Sequence, residues 1–278
     1  GQAMLAGWYG TVAKSTDGVT WIEKTVSSVD NYNISLIDEN NWYLIGDKGT
    51  IFKTTNAGMD YTKIFVEPYN DIDINVFQTS HFFNVNEGVV TGKTSGVVYR
   101  TTDGGNNWSG YQIPGVSATK TMYAFEFINE TTGWAFGYAS VAAKTTNSGA
   151  DWTPIALSGI TNNDNIYCAH AFDENNIVLG AKNGVIYRTN DGLNFTSITI
   201  GSTNINDIYF QDADHGLAVN TAGDIYYTTN GGLTAGDWML ASESAGDDLY
   251  TIHETANGTL VVGGYSSDAS NLGTTWAM

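Results

Sequence analysis

Thr101-Thr102-Asp103-Gly104-Gly105-Asn106-Asn107-Trp108 is the stretch that decides the fold. Its Asp side chain can accept backbone N–H groups across a tight corner, an Asx-type closure. The following glycine takes positive φ at little cost. The Thr hydroxyl adds a further bond, and the Trp opens the next strand with a large apolar surface. The stretch recurs with the same spacing as Thr54-Thr55-Asn56-Ala57-Gly58-Met59-Asp60-Tyr61 and Thr145-Thr146-Asn147-Ser148-Gly149-Ala150-Asp151-Trp152. Ser15-Thr16-Asp17-Gly18-Val19-Thr20-Trp21 and Thr189-Asn190-Asp191-Gly192-Leu193-Asn194-Phe195 are one residue shorter. Thr228-Thr229-Asn230-Gly231-Gly232 reaches its aromatic late, at Trp238, and a degenerate copy ends at Gly273-Thr274-Thr275-Trp276.

The closing aromatics stand at 21, 61, 108, 152, 195, 238 and 276, in steps of 40, 47, 44, 43, 43 and 38. A period of about 40–45 residues is that of a four-stranded propeller blade. The flanks repeat as well. Tyr43-Leu44-Ile45-Gly46 then Gly49-Thr50-Ile51-Phe52-Lys53 has its counterpart in Ile177-Val178-Leu179-Gly180 then Gly184-Val185-Ile186-Tyr187-Arg188. No segment shows sustained helical periodicity.

Residues 1–278 are therefore expected to be all-β, a single β-propeller of four-stranded antiparallel blades, seven by the count of boxes. Six is the alternative, with the C-terminal strands completing the first blade, because the first unit begins at Met4-Leu5-Ala6-Gly7 without an innermost strand. In either case the termini are expected to meet, since closure removes exposed sheet edges. Asp17, Asn56, Asp103, Asn147, Asp191 and Asn230 are then corner-forming, structural residues.

Composition agrees. Aromatics make up 13% of the 278 residues, charged residues only 14%, and there are 32 glycines. Aromatic and β-branched residues suit pleated, half-buried surfaces, and Gly and Asn suit turns. Eleven basic against 29 acidic residues give a net charge of −18. That field disfavours nucleic acid and anionic lipid. No apolar run approaches the roughly 20 residues of a membrane span. The start, Gly1-Gln2-Ala3, carries no charged-then-apolar leader, as expected of a mature or trimmed chain. The lone Cys168 excludes an internal disulfide. The sequons at Asn33, Asn107, Asn129, Asn194 and Asn257 match what an Asn- and Thr-rich chain contains by chance.

The boxes resemble the Asp-box, or bacterial neuraminidase repeat, pattern S/T-x-D-x-G-x-x-W, and the likeness spans essentially the whole chain. Sialidases, xyloglucan-degrading enzymes, sorting receptors and photosystem II assembly factors share it, so the resemblance implies a propeller rather than an activity. In those families the box lies on the blade periphery, away from the ligand face. The segment Phe127-Ile128-Asn129-Glu130-Thr131-Thr132-Gly133-Trp134-Ala135-Phe136-Gly137 is most similar to the photosystem assembly-factor type of repeat. That type implies a basic patch for its partner, in contrast to the −18 here.

Catalytic readings find little footing. A sialidase-type site holds a carboxylate with three arginines, because the guanidinium fork pairs bidentately. This chain contains only Arg100 and Arg188. Both directly precede a box, as do Lys14, Lys53 and Lys144, and a repeated position argues for blade packing. A glycosidase needs two carboxyls about 5–10 Å apart; Asp47, Asp71, Asp73, Asp247 and Asp248 are the candidates. The xyloglucan-degrading relatives use two tandem propellers with a cleft between them, and this chain supplies one. His81, His170, His215 and His253 are scattered, with no nucleophile-elbow motif. No cofactor or metal is expected. Calcium, at Asp71-Ile72-Asp73, Asp212-Ala213-Asp214 or Asp247-Asp248, is the one candidate ion, and those pairs are sparse for its six to eight oxygens.

Propeller ligands usually bind on the face made by the loops leading into innermost strands and the turns joining second to third strands. Trp8, Tyr9, Asp47, Lys48, Tyr69, Asp71, Tyr138 and Tyr265 lie there in the expected topology. Exposed rings beside Asp, Asn and Lys suit sugar stacking with hydroxyl hydrogen bonds. The leading expectation is a non-catalytic, extracytoplasmic recognition or assembly module that binds a glycan or a protein, secreted or on a virion surface. Its rivals are a glycoside hydrolase fragment related to the xyloglucan-degrading propellers and a photosystem-type assembly factor.

Overall fold

The computed structural model describes residues 3–16, 20–69, 76–93, 96–117, 119–161, 164–241, 248–254, 258–264 and 274–276. They form an all-β propeller of antiparallel blades. Five sheets have four strands in simple chain order, and a three-stranded sheet stands at each end of the chain. The third sheet shows the plan: Phe77–Phe82, Gly88–Gly92, Val97–Thr101 and Ser109–Gln112 pair in succession. The first sheet, Ala3–Ala6, Thr11–Ser15 and Ile22–Thr25, shows no first strand of this plan among the described residues. The last, Leu249–Glu254, Leu260–Gly264 and Thr274–Trp276, has no fourth strand among the described residues. The 26 described strands suffice for six four-stranded blades and not for seven. The leading expectation of seven is thereby corrected in favour of six, because each end of the chain contributes three strands rather than four.

The chain divides into two compact units. One comprises Met4–Ser15 and Ile22–Ile155, and holds the first four sheets. The other comprises Gly1–Ala3, Thr16–Trp21 and Ala156–Met278, and holds the last three. Within each unit the cores lie between successive sheets. Met4 and Val12 of the first sheet pack on Trp42 and Leu44 of the second. Tyr43, Ile45 and Ile51 of the second meet Phe77, Val90 and Tyr99 of the third. Val89 and Val98 of the third meet Met122, Ala135 and Trp152 of the fourth. In the other unit, Val178 and Ile186 pack on Ile205 and Phe210, and Leu217 and Val219 on Leu249 and Val262. Burial of one such side chain stabilises by about 1.5–3 kcal/mol.

This packing explains the second strands. Trp42–Gly46, Gly88–Gly92, Gly133–Gly137 and Ile177–Ala181 are buried at every residue. A strand covered on both faces reads as a continuous apolar run rather than an alternation. First strands share another device. All six break register at their second residue, leaving Tyr32, Gln78, Tyr123, Tyr167, Asn206 and Tyr250 out of the ladder. Such bulges re-aim a side chain.

The boxes close as their residue types dictate. Thr101 is buried; its hydroxyl accepts the Gly105 N–H at 2.9 Å and donates to Asp103 Oδ1 at 3.0 Å. Asp103 Oδ1 accepts the Asn107 N–H at 2.9 Å. Asn56 and Asn147 accept the N–H groups of Asp60 and Asp151 in the same way. In the shorter fifth box Asp191 accepts those of Leu193 and Asn194. Asn230 accepts the Thr228 hydroxyl and donates to Asp237. Asp17 lies outside the described residues. The Trp side chains fold back on their own corners: the indole N–H groups of Trp108, Trp152 and Trp238 donate to the carbonyls of Gly105, Gly149 and Gly232.

Thr101→Val keeps the shape of the side chain and removes the acceptor of a buried N–H. An unsatisfied buried donor costs about 1–3 kcal/mol. The expected result is a lower urea midpoint with an unchanged slope; an unmoved midpoint would show that the corner does not depend on this hydroxyl.

Candidate functional site

The turns that join second to third strands are tied to the loops leading into first strands. Asp47 N–H donates to Asp30 O at 2.9 Å, Tyr138 N–H to Thr121 O at 2.8 Å, and Lys182 N–H to Asn165 O at 3.2 Å. Backbones must approach closely here. A Cβ on Gly46 would stand 1.9 Å from Asp30 O, and one on Gly137 2.1 Å from Thr121 O. The second strands of the second and fourth sheets therefore end in glycine.

In the first unit this scaffold brings three segments together. The Trp8–Gly10 turn presents Trp8 and Tyr9, 49% and 76% exposed. Tyr9 sits at φ 54° and donates its N–H to Asp30 Oδ1 at 2.7 Å. Asn31 N–H donates to Gly7 O at 3.0 Å. Burial, then the neighbouring Asp47 and Asp30 carboxylates, raise the phenol of the bulged Tyr32 above its usual value. Lys48 follows Asp47 at φ 56°. Trp8, Tyr9, Asp47 and Lys48 are thus gathered around Asp30 and Tyr32.

The remaining candidates are placed otherwise. Tyr138 is 45% exposed in the equivalent turn of the fourth sheet, with Lys120 Nζ 4.4 Å from its ring centroid. Tyr69 is partly buried against the core of the second and third sheets, and its N–H donates to Tyr99 Oη at 3.0 Å, which makes it a packing residue. Asp71 and Tyr265 lie outside the described residues, as do Asp73 and Asp247. Sequence reasoning reaches Asp30 and Tyr32 only as members of a loop leading into a first strand, and it missed the bulge tyrosines Tyr123, Tyr167 and Tyr250. Aligning the starts of first strands would have found the latter, since Asn31-Tyr32, Met122-Tyr123, Ile166-Tyr167 and Leu249-Tyr250 share one place in the repeat.

The basic residues before the boxes are used in packing. Lys14, Lys53 and Lys144 lie 5.5, 5.2 and 5.3 Å from the ring centroids of Trp42, Tyr43 and Trp134. Lys53 also donates to Gly104 O in the box of the following sheet at 3.2 Å. Arg100 does the same to Ser148 O at 2.9 Å and pairs with Glu87 at 3.2 Å. Arg188 stands over Phe210.

In the second unit, Asp164 accepts hydrogen bonds from Thr161 and Tyr187 and pairs with Lys182 at 3.4 Å. Burial pushes its carboxyl up, and these donors more than offset it, so the net shift is downward. Asp207 joins neighbouring sheets by accepting the Ile208 and Ile252 N–H groups, yet burial pushes it up to about 6. Among the described residues no group of three or more His, Cys, Asp or Glu side chains is arranged to hold a metal ion. Among the described residues no helix is long and apolar enough to cross a membrane.

Folding aligns three histidines that look scattered in the chain. His81, His170 and His253 occupy the fifth place of their first strands. His81 lies between Phe83 and Phe127, with ring centroids at 4.9 and 4.6 Å. Burial pushes both His81 and His170 down to about 4.

Fold and corners together define an Asp-box propeller whose turns present exposed aromatic rings beside half-buried acidic groups. The family model described as photosynthesis system II assembly factor YCF48 matches residues 11–115 and 71–202. These stretches take in more than half of the chain, and the chain belongs to that family. No curated protein matches it. Among solved structures, YCF48 from Cyanidioschyzon merolae is 20% identical, with a TM-score of 0.72 over 94% of this chain and 88% of its own. A YCF48 bound to a D1 peptide is 16% identical, with a TM-score of 0.74 over 98% and 85%. An ancestral GH74 enzyme is 15% identical, with a TM-score of 0.64 over 85% of this chain and 35% of its own. At these identities the likeness is one of fold.

The histidine alignment gives a pH prediction. Between about 6.5 and 4 the unfolded chain takes up a proton that folded His81 refuses, so its contribution to stability falls as pH drops through that window, by up to about 3 kcal/mol. Asp207 acts in the opposite sense between its unfolded value and about 6. His81→Phe, placed among phenylalanines, should flatten the loss of stability from pH 7 to pH 4 in urea titrations. An identical pH profile in parent and variant would refute the assignment.

Proposed function

We propose that this chain is a non-catalytic assembly factor whose propeller binds a peptide segment of a partner protein, with residues 1–278 forming one propeller domain. The observation that carries this reading is the YCF48 family match over residues 11–115 and 71–202. It is supported by the likeness in fold to a YCF48 structure bound to a D1 peptide. The turn surface around Trp8, Tyr9, Asp30 and Asp47 is the proposed contact, and an extracytoplasmic setting remains the proposal that the composition suggests. A D1 peptide titrated calorimetrically into the protein should bind saturably, and a scrambled peptide should not. Equal heats from both would overturn the reading.

A glycan is the second reading, favoured by the exposure of Trp8, Tyr9 and Tyr138. Under it, Trp8→Ala should lose binding on a glycan array while staying folded, and an unchanged array signal would remove it. A hydrolase fragment is the third. The chain spans about a third of the ancestral GH74 enzyme, and release of dye from dye-linked xyloglucan is its test.

A further inference from the structure

The surface around Trp8, Tyr9 and Asp47 departs from its own repeat in one place. The residue that opens a first strand is buried and apolar in five sheets: Phe77, Met122, Ile166, Ile205 and Leu249. In the second sheet it is Asn31, only 4% exposed. Its Nδ2 donates to Thr11 O at 3.5 Å, and its Oδ1 has no donor among the described residues. A buried acceptor left without a donor costs free energy. Asn31 stands between Asp30, which holds the Tyr9 turn, and the bulged Tyr32, whose phenol feels the Asp47 and Asp30 carboxylates. The rings of Trp8, Tyr9 and Tyr32 are 49%, 76% and 42% exposed.

Rings attract cations over their faces. Carboxylates and amide oxygens accept the five N–H groups of a guanidinium in a planar fork. The protein already seats its own cations in this manner, with Lys14 over Trp42 and Lys120 over Tyr138. A net charge of −18 favours approach of a basic segment from a distance.

We propose that the surface formed by Trp8, Tyr9, Asp30, Asn31, Tyr32 and Asp47 receives an arginine side chain of a partner protein, so that the segment bound is basic. This rests on the protein-binding reading and adds the chemistry of the partner. The rings supply the faces on which the guanidinium lies, and Asp30 and Asp47 supply its acceptors. Lys48 at the edge disfavours a second cation in the same place, which suits a single anchoring arginine.

The test is fluorescence anisotropy with a short labelled peptide carrying three arginines among glycines and serines, and its counterpart with three glutamates. The arginine peptide should bind, more weakly as salt rises, and the glutamate peptide should not. Tyr9→Ala, Asp47→Asn and Asn31→Leu should each weaken binding about tenfold. Asn31→Leu matches the other sheets and is expected to fold at least as stably as the parent. Glu23→Gln removes the same charge as Asp47→Asn from the exposed last strand of the first sheet and should leave affinity unchanged. Parent-like binding by the three site variants, equal weakening by Glu23→Gln, or equal affinity for the glutamate peptide would each overturn the proposal. Failure of the arginine peptide alongside binding of the D1 peptide would also overturn it while leaving the protein-binding reading intact. The reverse result would remove D1 as the partner class and keep the arginine site.

Discussion

Apolar contact between successive sheets is the constraint on which the rest of the structure depends. A four-stranded antiparallel sheet of this size has two apolar faces and no core of its own, so within each unit every core is shared by two neighbours. Central strands must then be apolar on both faces, as Trp42–Gly46 and Gly133–Gly137 are. The polar chemistry is displaced to corners and turns. There each buried Thr, Asp or Asn has its partner within the corner itself, so the corner adds little that is unsatisfied to the sheet-to-sheet joint.

The joint also decides where positive charge goes. Lys53 and Arg100 reach from one sheet to carbonyls in the box of the next, and Lys14 and Arg188 cover rings of the following sheet. Four of the eleven basic residues are thus committed to joints between sheets, which leaves few cations to offset the 29 acidic residues elsewhere. This is the physical difference between the present chain and a partner-binding surface built on a basic patch. The surface at Asp30 and Asp47 follows from it.

The sequence made the repeat legible because each corner needs particular residue types at fixed spacing. Positive φ or close approach selects glycine, N–H acceptance selects Asx, and corner closure selects an aromatic ring. It also made the packing role of Lys14, Lys53, Arg100, Lys144 and Arg188 legible, through their register with the boxes. The blade count was less so, since a box marks only the corner after a third strand and does not report whether a first or fourth strand accompanies it. The site was legible in part. Trp8, Tyr9 and Asp47 lie in turns that the period locates, and Asp30 and Tyr32 in a loop leading into a first strand; the bond from the Tyr9 N–H to the Asp30 carboxylate and the bulge at Tyr32 arise only on folding. Tyr69 shows the converse: an aromatic in a loop at the right distance that the tertiary structure draws into packing through Tyr99.

The break in register at the second residue of each first strand has a consequence for how such a protein changes over time. A residue excused from the ladder is released from the strand-to-strand register that fixes its neighbours, although its side chain can still bond elsewhere, as Asn206 does to Leu249 O. Tyr, Gln and Asn already occupy that place in different sheets of this one molecule. Specificity can therefore be revised one sheet at a time by single substitutions that leave the scaffold's stability nearly untouched, so descendants of one propeller can diverge in what they hold while remaining superimposable in backbone.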